Sequence, residues 1–303
     1  MKNDTDQQVL RVAEILSELG SVLVAFSGGV DSSLLLAIAL DTLGAANCLA
    51  VCARSPLFTE AELARAQAFC AARGLPLMVI EHDVLSIAGI VANNPERCYI
   101  CKKSLLETLL GIASERGLAY VVEGSNTDDL GDYRPGRQAV VELGVRSPLL
   151  EANLDKSSIR AIARDMSLDC ADLPAQACLA TRFGFGHALT LEGLKLVERS
   201  EQYLHGLGFG LVRVRVSVAG AGATDAGSTD DAGRSGVSDV AGAADVADLD
   251  GLSLAARIEC DEDGMRKLQD NTLADEIKRT LQAYGFAEIS IDPSGYQMGS
   301  MNN

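Results

Sequence analysis

Ser21-Val-Leu-Val-Ala-Phe26 runs straight into Ser27-Gly-Gly-Val-Asp-Ser-Ser33, and an apolar stretch from Leu34 to Leu43 follows. Six mostly apolar residues ahead of a glycine pair read as a strand buried on both faces, as in a parallel sheet, and the run behind them reads as a helix. Gly28 and Gly29 leave backbone N–H groups free to approach an anion closely, and the helix that starts near Asp31 adds its positive end. Val30 lies within this loop, and Ser27, Ser32 and Ser33 offer hydroxyls to phosphate oxygens. No lysine follows the glycines, so this is not the GxxxxGK[ST] loop that serves cleavage between the β- and γ-phosphates. Asp31 suits either a Mg²⁺ ligand or a residue that caps and shapes the loop. An ordinary strand-to-helix turn is the competing reading, and the complete heptad in its strand, loop and helix context weighs against it.

Outward from the loop, strands and helices alternate. Val9, Val12, Ile15, Leu16 and Leu19 recur at helical spacing; Cys48 to Ala53 reads as a second strand; Thr59 with Glu62 forms a capping box that opens a helix to Arg73. Pro76 to Glu81 is a third strand, Cys98 to Arg116 a helix, and Ala119 to Glu123 a fourth strand. The pattern predicts an α/β fold with a doubly wound parallel sheet over residues 1–175, whose ligands bind at the carboxyl ends of the strands. Ala53, at such an end, is assigned to the nucleotide's surroundings. Residues 176–303 read as a smaller C-terminal α+β domain: a helix from Thr190 to Leu207, strands Gly210 to Val216 and Leu254 to Glu259, one or two helices from Glu262 to Tyr284, and a strand from Ala287 to Ile291. The site is expected where the two domains meet. Between the middle strands, Ser217 to Gly251 is almost wholly Ala, Gly, Ser, Asp and Val, with seven Asp against one Arg. Such a composition does not bury enough apolar area to offset its ordering entropy, so this is read as a disordered insertion.

The formal net charge is −16. A surface that acidic disfavours nucleic acid as a partner. The start has no basic-then-apolar leader pattern and no run of about 20 apolar residues occurs, so a cytoplasmic protein without membrane contact is expected. In that compartment the eight cysteines are thiols, metal ligands or nucleophiles rather than disulfides.

Cys98 and Cys101 stand at i and i+3 in Arg97-Cys-Tyr-Ile-Cys-Lys-Lys103, one above the other on a helical turn, and could ligate one centre. Cys178 follows far along the chain. Arg97, Lys102, Lys103 and Arg182 are expected to favour their thiolates. A lone CxxC also fits structural zinc or two buried thiols. Cys48, Cys52, Cys70, Cys170 and Cys260 are expected to be small core residues. Glu123-Gly-Ser-Asn126-Thr-Asp128-Asp129 ends the fourth strand, where it positions either Mg²⁺ and a reacting carboxylate or merely a polar turn. Arg134 is placed to reach a nucleotide phosphate. Arg213 and Arg215 share one face of a strand, the spacing that lets two guanidinium groups converge on a phosphate, although a solvated strand face shows the same alternation. His82, His187 and His205 form no ligand-spaced cluster and are read as solvated or capping.

The heptad SGGVDSS resembles the phosphate loop of the ATP pyrophosphatase (PP-loop) superfamily. Beyond it, NNPERCYICKKSLL, EGSNTDDLGDYRPG, SPLLEANLDKSSIRAIAR, PAQACLATRFGFG, LVRVRV, LAARIE and the terminal DPSGYQMGSMN are similar, in order and over nearly the whole chain, to the LarE-like ATP-dependent sulfur transferases. The resemblance implies an enzyme that adenylylates a carboxylate of pyridinium-3,5-biscarboxylic acid mononucleotide and converts it to a thiocarboxylate, with AMP as by-product, in nickel-pincer nucleotide synthesis. It implies ATP and Mg²⁺ and sulfide or another sulfur donor; a homo-oligomer is expected. One branch of that family sacrifices the sulfur of the cysteine matching Cys178. The other carries three cysteines, matching Cys98, Cys101 and Cys178, on a [4Fe-4S] cluster whose fourth iron carries the sulfide, and all three are present here. Cys178, Asp31 and Glu201, which matches an acidic residue near the family's site, are thereby the catalytic candidates. The insertion departs from the family, which has a short turn there. The rival readings are an iron–sulfur tRNA thiolase, against which the acidic charge counts, a PP-loop amide ligase, which needs no thiol trio, and a nucleotide- or cluster-carrying protein without catalysis.

Deleting Val218 to Gly251 and joining the flanking strands with a short turn should leave the thermal midpoint and turnover nearly unchanged. A large loss of either would show that the insertion is structured or engaged.

Overall fold

The computed structural model describes residues 2–131, 135–174, 176–219 and 253–296, with side chains from residue 5 onward. Arg134, the insertion from residue 220 onward with Leu252, and the last seven residues of the chain lie outside that description. The chain divides into two units: Met1–Ile90 with Pro95–Cys178, and Val91–Asn94 with Leu179–Asn303.

The first unit comprises, in order, α1 (Lys2–Leu19), β1 (Val22–Ala25), α2 (Val30–Leu43), β2 (Cys48–Arg54), α3 (Glu60–Ala72), β3 (Leu77–Glu81), α4 (Ala88–Val91, whose last residue belongs to the other unit), α5 (Arg97–Glu115), β4 (Tyr120–Val122), α6 (Pro135–Glu142), α7 (Pro148–Glu151) and α8 (Lys156–Asp165). Its four strands are all parallel, in the order β3-β2-β1-β4. Because side chains alternate along a strand, each strand feeds two cores. Val22, Val24, Cys48, Ala50 and Cys52 pack with α1, α2, α3 and α8, while Leu23, Val51 and Val121 pack with Leu106, Leu109 and Ala113 of α5 and Val140 of α6. Both faces are therefore covered, and the strands read as continuous apolar runs. The α/β fold with a parallel sheet is as the sequence predicts. The strand order reverses at β1, with β2 and β3 on one side and β4 on the other. In an open α/β sheet the crevice beyond such a reversal is where ligands bind.

Thr59 caps α3: its hydroxyl accepts from the Glu62 amide at 3.2 Å while the Glu62 carboxylate accepts from the Thr59 amide at 2.8 Å. The sequence reading placed no element between residues 123 and 175, where α6, α7 and α8 stand. α8 carries the signals of a helix, with Asp155 accepting from the Ser158 amide at 2.7 Å and Ile159, Ile162 and Ala163 buried at i, i+3 and i+4. Its ten residues are short enough to pass for a loop.

The second unit holds α9 (Leu191–Gly206), β5 (Val212–Val218), β6 (Leu254–Cys260), α10 (Glu262–Lys267), α11 (Asn271–Tyr284) and β7 (Phe286–Ile291). The sheet order is β5-β6-β7, antiparallel for the first pair and parallel for the second. A parallel pair needs a crossover, which α10 and α11 supply. Ser217 and Val218, expected to open the insertion, instead pair with Ala255 and Leu254 and extend β5. Four residues from far upstream complete this unit. The Leu189 amide donates to the Val91 carbonyl at 2.8 Å, and the buried Asn93 side chain donates to the carbonyls of Phe183 at 3.3 Å and Gly184 at 2.8 Å. Asn93 has φ +51°, in the left-handed region that asparagine tolerates better than most residues. Among the described residues no helix is long and apolar enough to cross a membrane.

Thr59→Ala removes one half of the α3 capping box. It should lower stability by about 1 kcal/mol and the thermal midpoint by about 2–4 °C, read by calorimetry, with no change in helical signal beyond the first turn of α3.

Candidate functional site

The loop from Ser27 to Ser33 leaves β1 at the strand-order reversal. Gly28 adopts φ +73°, and a Cβ there would stand 3.1 Å from the Ala66 amide nitrogen of α3, so the turn requires glycine on both conformational and steric grounds. Gly29 caps α2 through its backbone alone, and Val30 is buried in the first turn. The expectation that Asp31 caps the helix is corrected: the cap is Gly29, and Asp31 sits inside the first turn, where a negative charge suits the helix dipole. The loop's serines hold one another. Ser27 and Ser32 hydroxyls lie 3.0 Å apart, the Ser27 amide donates to Ser32 Oγ at 3.2 Å, and the Gly29 amide reaches Ser27 Oγ at 3.4 Å. Ser33 is fully buried, and its hydroxyl has no hydrogen-bond partner. An orphaned hydroxyl beside loop donors that are satisfied only by one another fits a phosphate group.

Beyond β4 the chain folds tightly onto this loop. A Cβ on Gly124 would come within 3.0 Å of the Ser32 amide nitrogen and 3.2 Å of the Asp31 carbonyl carbon. Asn126 then reaches Asp31, donating from Nδ2 to Oδ1 at 3.2 Å, while its own Oδ1 accepts from the Asp128 amide at 3.0 Å. The other Asp31 oxygen is ion-paired with Lys156 Nζ, and the Lys156 amide donates to Asp128 Oδ2 at 3.1 Å. The structure thus brings Asp31, Asn126 and Asp128 together and adds Lys156, which the sequence reading missed. A signal existed: Lys156 is the first residue of α8, where a cation opposes the helix dipole and needs an anion nearby. Ala53 lies near the carboxyl end of β2, paired with Ile80.

Glu123, at the end of β4, is buried, and its oxygens accept from Lys102 Nζ at 3.0 Å, the Ser147 hydroxyl at 2.6 Å and the Ser125 amide at 3.0 Å. Burial alone would raise its pKa; the Lys102 ammonium and the hydrogen bonds from Ser147 and Ser125 outweigh it and hold the carboxyl below its ordinary value. Lys102 follows Cys101 on α5, so this ion pair ties the cysteine helix to the edge of the sheet. Cys98 is exposed, Cys101 and Cys178 are partly buried, and the Cys101 thiol responds to charge on both of the others. They are not drawn up as a three-donor group of the kind that holds a single metal ion, and no such group occurs among the described residues. As a donor set, three cysteine thiols in one unit are of the chemistry that an iron–sulfur centre takes.

The expected electrostatic support for the thiolates is only partly found. Arg97 lies 3.7 Å from Cys98 Sγ, but Lys102 is engaged by Glu123, and Lys103 turns to the Tyr99 hydroxyl at 3.1 Å and Glu142 at 3.6 Å. Burial, with the neighbouring thiols Cys178 and Cys98, pushes the Cys101 thiol up to about 12 against the lowering pull of Arg97 and Lys102. The five remaining cysteines are buried, as expected. His82, expected to be solvated or capping, is instead buried against the Ser104 hydroxyl at 3.2 Å, and burial lowers its pKa.

Arg213 and Arg215 lie in the second unit and are buried rather than solvated. Arg215 pairs with Glu259 at 3.0 Å and donates to the Thr181 carbonyl at 2.7 Å. Glu201 is also buried and is gripped by Arg182 through both oxygens, at 2.9 and 2.8 Å, with the Val214 amide adding a third bond at 2.9 Å. A carboxylate so engaged holds the strand and the arginine in place, which is not the arrangement of a free acid or base. Arg213 differs. Its guanidinium donates to the Val212 carbonyl at 2.9 Å and lies 5.7 Å from the Tyr296 ring centre. Burial and the adjacent Arg182 lower its pKa, so an added anion would be welcome there.

No family model matches the chain. A pyridinium-3,5-bisthiocarboxylic acid mononucleotide synthase of Lactiplantibacillus plantarum is 34% identical over 288 residues, 95% of this chain and 91% of that protein. An uncharacterized protein of Synechocystis sp. is 34% identical over 98% of this chain and 97% of its own length. An uncharacterized protein of Methanocaldococcus jannaschii is 35% identical over 64% of this chain and 73% of its own.

Lys102→Met strands the buried Glu123 carboxylate. It should cost about 3 kcal/mol, the low end for such a loss because Ser147 and Ser125 still donate, whereas Lys102→Met with Glu123→Gln should cost less than the single change. Since the folded pKa of Glu123 is depressed, its contribution is complete above its unfolded value of about 4.3 and fades as pH falls through the lower folded one. Denaturant titrations from pH 7 to 3 should therefore show wild type losing its advantage over Glu123→Gln only in acid.

Proposed function

Because the chain belongs to the LarE-like family of pyridinium-3,5-bisthiocarboxylic acid mononucleotide synthases, we propose that it is an ATP-dependent sulfur transferase acting on pyridinium-3,5-biscarboxylic acid mononucleotide. One observation carries this reading: within a single unit, a lysine-free phosphate loop at the strand-order reversal lies against the segment leaving β4, whose Glu123 pairs with Lys102 of the helix bearing Cys98 and Cys101. It supports a PP-loop fold and ATP cleavage to AMP and pyrophosphate.

In this reading the loop amides and the hydroxyls of Ser27, Ser32 and Ser33 receive the triphosphate, with Val30 and Ala53 lining the nucleotide. Asp31 and Asp128 offer the hard carboxylate oxygens that Mg²⁺ takes. A substrate carboxylate oxygen attacks the α-phosphorus, the bond to the β-phosphate oxygen breaks, and pyrophosphate leaves with the electron pair. Sulfur then replaces the adenylylated oxygen at the carboxyl carbon and AMP departs. Positive charge held around the phosphates stabilises what accumulates on the leaving group. Cys98, Cys101 and Cys178 would hold a [4Fe-4S] cluster, which when bound supplies an iron with no protein ligand where inorganic sulfide can be held. Arg213, with Arg182 and Arg215 fixed beside it by Glu201 and Glu259, would meet the phosphate of the substrate.

ATP should yield AMP and pyrophosphate only with the pyridinium dicarboxylate present; ADP and phosphate would sink the adenylylating reading. Anaerobic reconstitution should give about four irons per chain, lost on Ala substitution of Cys98, Cys101 or Cys178, and repeated turnover with excess sulfide should leave the protein mass unchanged. Loss of the mass of H₂S from Cys178 after one turnover would instead establish the sacrificial route, and product formation surviving Cys178→Ala would favour an amide ligase.

A further inference from the structure

Lys156 and Asp31 come from opposite ends of the first unit's sequence, and their pairing joins two helix N-termini of unlike electrostatic fit. Asp31 suits the positive end of α2, whereas Lys156 opposes that of α8. The pair is partly exposed, with side-chain exposures of 30% for Lys156 and 23% for Asp31. The helix start itself is held independently, by Asp155 on the Ser158 amide and by Asp128 on the Lys156 amide. The lysine side chain is thus free to move without unwinding α8. The loop it borders has its own donors parked on one another, the Ser27 and Gly29 amides on serine hydroxyls and Ser32 Oγ on the Gly29 carbonyl at 3.2 Å. Both sets of groups, loop donors and ammonium, are satisfied internally and can be transferred to an incoming anion. Asp31 meanwhile presents a carboxylate oxygen to a cation already.

We propose that Lys156 works by cation exchange. When the loop is empty its ammonium sits on Asp31. When Mg²⁺·ATP fills residues 27–33, the divalent ion takes the Asp31 oxygen and Lys156 Nζ moves to the nucleotide's phosphates. Asp31 keeps a positive partner in both states, and the loop acquires the lysine that its own sequence lacks. Lysine is suited to this, because its ammonium is a compact charge on a flexible four-carbon stem. The proposal rests on the adenylylating reading above, and its test separates the two.

Binding is measured by calorimetry on the full chain, with no turnover required. Mn²⁺ alone serves as the metal probe, and α,β-methylene ATP with Mg²⁺, which resists adenylylation, serves as the nucleotide probe. Lys156→Met should bind Mn²⁺ at least fivefold more tightly than wild type, and adding Asp31→Asn should abolish that gain. The same variant should bind the nucleotide at least tenfold more weakly, with Lys156→Arg recovering part of the loss. Lys156→Gln takes the place of the Met variant if the latter does not fold. Unchanged affinities for both probes would overturn the proposal, as would tighter Mn²⁺ binding with undiminished nucleotide binding, which leaves Lys156 a mere counter-ion of Asp31. A wild type that binds no nucleotide would overturn the adenylylating reading and the exchange with it.

Discussion

At the strand-order reversal the backbone of Gly124 lies close against the first turn of α2. A Cβ there would come within 3.0 Å of the Ser32 amide nitrogen, so glycine lets the chain leaving β4 lie against the phosphate loop without displacing its backbone. Everything assembled at that edge depends on this contact. It sets Asn126 within hydrogen-bonding reach of Asp31, and it lets the next residues return so that α8 starts beside them. One position earlier, Glu123 turns inward to meet Ser147 and the lysine that follows Cys101. Two helices and two loops are thereby referred to one stretch of backbone.

Much of this was legible in the sequence where one local rule suffices. The strands of the parallel sheet declare themselves because both faces are buried, and Thr59 with Glu62 forms a capping box that the structure reproduces. The loop glycines at 28 and 29 mark a turn with one positive φ. What escaped were features that need two distant segments at once. The partnership of Lys156 with Asp31 spans 125 residues, and nothing local says which anion answers a lysine at a helix start. The depth of Glu123 was equally hidden, since a carboxylate at a strand end looks like any polar turn until Lys102 and Ser147 arrive. The thiol environment was legible only in part for a related reason: adjacent basic residues in sequence point around a helix, so Lys102 and Lys103, expected to favour the thiolates, pair instead with Glu123 and with Tyr99 and Glu142.

The second unit follows a different logic. Among the described residues of this unit, Arg182, Arg213 and Arg215 are buried together with two buried carboxylates, Glu201 and Glu259. A strand carrying Val212, Val214 and Val216 toward an apolar core and arginines on its other face has both faces sealed, and an alternating sequence could not distinguish this from a solvated edge. Burying guanidinium groups is costly unless each finds acceptors, and the structure meets that cost with bidentate geometry at Glu201 and a backbone carbonyl at Thr181. Such an arrangement fixes guanidinium positions far more tightly than surface arginines would be fixed, at the expense of stability.

The four residues Val91–Asn94 give the molecule a topological property that neither sheet has alone. The chain begins one unit, lends a short piece to the other, and only then finishes the first. Cutting the sequence after Cys178 would yield a fragment whose residues 91–94 have lost their hydrogen-bonding hosts and a remainder missing the asparagine that ties Phe183 and Gly184. On the ribosome, Asn93 must wait for some ninety further residues before those carbonyls exist. The two units are thus interleaved in order of synthesis, and the second is completed by a segment made long before it.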